Sequence, residues 1–133
     1  MRREVKLTTG RFPLSKDGGI SIKVTFDEAE VRSRIGASMH KAQMKLDQQV
    51  ITDSNFYCPL KTGTLQKSAT INTVLGSGVV RWQTPYAHMQ YYGVNFDRSQ
   101  DPNPNACGKW FEAAKAHKKE QWRKLVDDTV KGG

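Results

Sequence analysis

The sequence predicts an α+β domain: a long helix on the N-terminal side and a C-terminal helix, packed on a small, mainly antiparallel sheet. Three observations carry this expectation. Residues 20–26 alternate between apolar and polar, the period of a half-buried strand. Val31, Ile35, Met39, Ala42, Leu46 and Val50 then recur at spacings of four or three, one apolar stripe along a helix. Trp110, Phe111, Ala114, Trp122, Leu125, Val126 and Thr129 form a second, interrupted helical face.

Residues 1–19 have no sustained period and close on Lys16-Asp17-Gly18-Gly19, a turn signal. They read as a flexible basic arm, in which residues 1–16 carry Arg2, Arg3, Lys6, Arg11 and Lys16 against only Glu4. Residues 20–130 then form a single domain. Ile20, Ile22, Val24 and Phe26 give the strand its buried face. Asp27 is expected to start the long helix, with Glu30 completing a capping box. Its polar positions include His40, expected on the surface, and Asp53-Ser54-Asn55 end or loosen it.

The stretch from Tyr57 to Gly93 is the most informative. Pro59 and Gly63 punctuate a turn, and Thr62 or Thr64 can cap the short helix that follows with a hydroxyl. Residues 70–75 and 79–84 are β-branched and partly alternating, so they are expected to be strands. Gly76-Ser77-Gly78 between them supplies the positive φ of a hairpin. Pro85 suits a first helical position and Gly93 the residue just past a helix end. Residues 94–107 have neither period and contain Pro102 and Pro104, a long loop of the kind that binds partners or moves. The last helix is expected from Gly108 or Lys109 to near Val130.

Composition bounds the function classes. The chain has 133 residues, enough for one modest core. Its net charge of +8 points to an acidic partner, nucleic acid or protein. No signal peptide and no transmembrane run is expected, so no membrane association is either. Cys58 and Cys107 are expected as packed thiols.

The residues Pro59, Thr62, Gly63, Leu65 and Ser68, then Pro85, Tyr86, Ala87, Tyr92 and Gly93, then Lys109, Trp110 and Phe111, come in a fixed order. Together they resemble the minor capsid, or neck and tail-completion, proteins of tailed bacteriophages, over roughly residues 28–126. Lys61 stands where that family often has an acidic residue, so no role tied to that acid carries over. The resemblance implies a structural virion protein in the head–tail connector ring, assembled in the host cytoplasm, through which DNA passes. It implies a homo-oligomeric ring contacting connector or adaptor and tail-terminator layers, with possible non-specific DNA contact. The motif residues Pro59, Thr62, Gly63, Leu65, Tyr86, Ala87, Tyr92 and Gly93 are then structural. Arg2, Arg3, Lys6, Arg11, Phe96, Arg98 and Trp110 are the interface candidates. Both unpatterned segments should be mobile in a free monomer and order on assembly, and removal of residues 1–16 should leave the domain folded.

The residues carry no enzyme signature. Gly76-Ser77-Gly78 lacks the lysine of a phosphate loop, and no nucleophile elbow occurs. His40, His88 and His117 have no metal spacing with the cysteines, and no cofactor is expected. His88 among Tyr86, Tyr91 and Tyr92 is the strongest candidate for acid–base work, though packing explains it better. The rival function is a basic nucleic-acid-binding protein using the arm, with Trp82, Tyr86 and Tyr92 stacking on bases.

Overall fold

The computed structural model describes residues 7–12, 18–26, 36–60 and 63–132. It is an α+β fold. Strands β1 (Leu7–Arg11), β2 (Ile20–Phe26) and β3 (Val79–Trp82) make one antiparallel sheet in the order β1-β2-β3. Helices α1 (Gly36–Asn55), α2 (Thr64–Asn72), α3 (Ala87–Tyr92) and α4 (Trp110–Gly132) complete it.

Strand β2 sits at the centre because its alternation gives it one wholly apolar face. Ile20, Ile22, Val24 and Phe26 are buried while Lys23 is exposed. Val80 and Trp82 of β3 extend that face in register, Val80 opposite Ile22 and Trp82 opposite Ile20. Helix α1 contributes Ala42, Leu46 and Val50 from its stripe, together with Ile51. Helix α4 packs against it with Phe111, Ala114, Trp122 and Val126. The expected end of α1 at Asp53-Ser54-Asn55 and the span of α4 match the structure within two residues.

Polar side chains of α1 tie the layers together. Asp47 is fully buried, and its Oδ2 accepts the amides of Gly76 at 2.8 Å and Gly78 at 3.1 Å. Asn55 Oδ1 accepts the Trp82 indole at 3.0 Å, and its Nδ2 donates to the Gln66 carbonyl. These bonds satisfy groups that would otherwise be buried without partners.

Several expectations are corrected. Residues 70–72 continue helix α2, and Thr73 follows in extended conformation, so the predicted strand at 70–75 does not exist. The helical spacing of the buried Leu65, Ser68 and Ala69 outweighs the β-branching of Thr70 and Ile71, which are exposed. Gly76 and Gly78 do have positive φ, but they lead from α2 into β3, whose partner is β2. Leu7–Arg11, expected in the arm, pair with β2 as an edge strand. Leu7 packs on the core, so removal of residues 1–16 would strip part of the sheet. Thr64 opens α2 without capping it: Gly63 precedes the helix and no side chain caps it. Pro85 lies two residues ahead of α3. The capping box at Asp27 and Glu30, the start of the long helix, and Thr62 lie outside the described residues, as do the side chains of Val31, Ile35 and Met39.

A candidate docking cleft

Pro59, the start of α2, the start of α3 and the loop at 94–107 meet around an open cleft of about 480 Å³. Pro59, Leu65 and Tyr86 form its apolar wall, all three from the motif stretch. Phe96, Arg98 and Asp101 face them from the loop.

Gly63 sets the turn. Its φ of 76° is left-handed, a conformation that side chains resist, and it directs the chain into α2 with Leu65 buried. The space where a Cβ would stand is open, so backbone shape alone calls for glycine there. Gly93 is different: its φ is negative, but a Cβ there would collide with the Phe96 ring. Glycine at the end of α3 thus lets the loop fold back with Phe96 against it. Ala87 and Tyr91 of α3 are buried, and Tyr92 stacks edge-on to Tyr91 at 5.2 Å.

The loop has no regular structure, yet it is built. Asp97 Oδ1 accepts the Ser99 amide, Asp101 Oδ1 that of Asn103, and Asn103 Oδ1 that of Asn105. Each is a side chain mimicking a turn two residues on. Asp101 also accepts the Leu60 amide at 2.9 Å, and Asn103 Nδ2 donates to the carbonyls of Phe56 and Cys58. The Cys107 amide donates to the Tyr57 carbonyl at 2.9 Å. Four contacts therefore pin the loop to the turn beneath it. Arg98 pins the other end: its guanidinium donates to Gln90 Oε1 and to the carbonyls of Gln90 and Gly93 at 2.8–2.9 Å. It thereby caps the last carbonyls of α3 and lies 5.6 Å over the Phe96 ring.

Of the interface candidates, Phe96 and Arg98 come together at this cleft. Phe96 is 47 % exposed, and Leu60, Met89 and Val94 are further exposed apolar side chains on the same turn, helix and loop. Trp110 is corrected: it is fully buried, edge-on to Trp82 and Tyr91, and offers no surface to a partner. Arg2, Arg3 and Lys6 lie outside the described residues, as does the Arg11 side chain. Of the aromatics considered for stacking on bases, Trp82 is fully buried, with its indole bonded to Asn55. The residues that the sequence reading missed are Asp101, Asn103 and Gln90. The Asp-Pro-Asn-Pro run was a usable signal, because Asp and Asn template such turns.

Chemistry is sparse at the cleft. Asp97 is exposed, and the bonds from Ser99 hold its carboxyl below the ordinary value. His88 stacks tilted on Tyr92 at 4.7 Å, and its amide donates to the Gly18 carbonyl. Burial pushes the Cys58 thiol far up, with Asp101 adding to it, and Cys107 is raised less by the same cause. Both cysteines are free. Among the described residues no group of His, Cys, Asp and Glu could hold a metal ion, and no helix is long and apolar enough to cross a membrane.

The described residues thus form an α+β domain with a partly apolar, open cleft. The family model described as minor capsid protein matches residues 20–130, and the chain belongs to that family of phage structural proteins. It is accordingly a virion component that contacts other virion proteins. No curated protein and no solved structure matches the chain.

Proposed function

We propose that the protein is a subunit of the head–tail connector, a ring that joins capsid to tail and lets DNA pass. The cleft is its docking surface for a neighbouring subunit or layer. The observation that carries this reading is the convergence at the cleft. Motif residues Pro59, Leu65 and Tyr86 build one wall, and a loop held by seven side-chain and backbone bonds builds the other. A surface loop fixed so thoroughly, yet presenting a half-exposed phenylalanine, suits recognition without a large ordering cost. Its ring neighbours would be connector or adaptor and tail-terminator proteins, with further copies of the chain beside it.

Phe96→Asp tests this. The side chain is half-exposed, so the fold should survive, with an unchanged circular dichroism melt. Particles made with the variant should accumulate as unjoined heads and tails. Normal infectious yield from a correctly folded variant would overturn the docking role of the cleft.

A further inference from the structure

The sheet has two edges, and they are treated differently. Along β3 the outward amides are those of Val79, Arg81 and Gln83, because Gly78, Val80 and Trp82, opposite Val24, Ile22 and Ile20, face β2. Each outward amide meets a hydroxyl: Val79 donates to Ser77 Oγ at 3.2 Å, Arg81 to Thr73 Oγ1 at 3.0 Å and Gln83 to Ser68 Oγ at 3.0 Å. That edge is sealed. Along β1 the Phe12 amide donates to the Ser21 carbonyl, which fixes the phase of the ladder. Thr8 and Gly10 therefore face β2, while Leu7, Thr9 and Arg11 turn their amides outward. Among the described residues none accepts from those three amides.

An open edge is a template for another strand, and proteins usually blunt it. Here it is held rather than blunted. Lys115 of α4 donates to Thr9 Oγ1 at 2.8 Å, fixing the strand against the helix layer. The strands at this edge carry only basic charge, and the acid that accompanies Lys115, Glu112, lies a turn away on α4. β1 and β2 contain Arg11 and Lys23 and no acid, Lys115 stands beside Thr9, and residues 1–16 add four more bases against one acid.

We infer that the outer edge of β1 is a docking edge for an extended acidic segment of a different protein, added as a fourth antiparallel or parallel strand. A second copy of the chain is disfavoured, because two subunits of net charge +8 repel each other. Main-chain bonds to Leu7, Thr9 and Arg11 would supply affinity, and acidic side chains beside Lys23 and Lys115 would supply selectivity. This inference does not depend on where in the particle the protein sits.

The test is residue-resolved amide exchange on the full chain, with a peptide of about six residues of alternating glutamate and valine as probe, a typical strand length. In the free protein Thr8 and Gly10 should exchange slowly and Leu7, Thr9 and Arg11 quickly. With the acidic peptide the latter three should slow by about tenfold or more. A lysine–valine peptide should leave them unchanged. Thr9→Pro removes one outward donor without touching the inward ladder, and should abolish the response. Lys23→Glu, at an exposed position, should weaken it even if the proline variant does not fold. The inference fails if the three amides are already slow in the free monomer, or if the acidic peptide leaves them fast. It fails equally if both peptides act alike, or if the chain dimerises through β1.

Discussion

The indole N–H of Trp122 donates to the Asp53 carboxylate at 2.6 Å, fastening the middle of α4 to the last turn of α1. Trp122 is fully buried and also stacks on Phe111 at 5.8 Å. Trp122→Phe keeps most of the apolar volume and removes the charge-assisted bond. It should cost about 1.5–3 kcal/mol, read as a lower midpoint in urea melts. A midpoint equal to wild type would show that this bond adds nothing to the helix pair.

Gly63 separates backbone shape from space. A β-branched residue is strained at φ 76°, so Gly63→Val should destabilise by about 1–3 kcal/mol. Asparagine tolerates the left-handed region, and no atom lies where its Cβ would go. Gly63→Asn should therefore melt much closer to wild type. Equal losses in the two variants would contradict the left-handed turn.

Asp47 makes stability depend on pH. Burial pushes its carboxyl above the ordinary 3.8, while the bonds from Gln43, Gly78 and Gly76 pull it down. A group protonated more readily when folded adds stability below its unfolded value and loses it as pH rises through the folded one. Wild type should therefore gain on Asp47→Asn as pH falls from neutral toward 3.8, measured by urea melts of both proteins. A gap that stays constant or shrinks toward acid would refute the assignment.

Arg98 is the latch of the loop. Arg98→Ala removes three hydrogen bonds from the end of α3. Stability should fall by about 1–2 kcal/mol, and amide exchange should quicken across residues 94–99. Unchanged exchange there would show that the turns at Asp97 and Asp101 hold the loop without it.

Much of the fold was legible in the sequence because single periods dominate it. The alternation of Ile20, Ile22, Val24 and Phe26 and the spacing of Ala42, Leu46 and Val50 each admit one reading, and the structure buries all seven. Residues 70–75 misled because β-branched Thr70 and Ile71 sit on the solvent face of a helix, where packing on Leu65 and Ala69 overrides propensity. β1 was hidden because LTTGR is short and polar and gains its order from pairing with β2. The cleft was half legible. Pro59, Gly63, Leu65 and Tyr86 stood out, but the bonds from Asp101 and Asn103 span more than 40 residues and leave no local pattern.

The role proposed for this minor capsid family member is to join head to tail. Electron micrographs of particles produced without the protein test it most directly. DNA-filled heads and separate tails, joined again when the wild-type chain is supplied, are the predicted result. Complete, infectious particles in its absence would contradict the account.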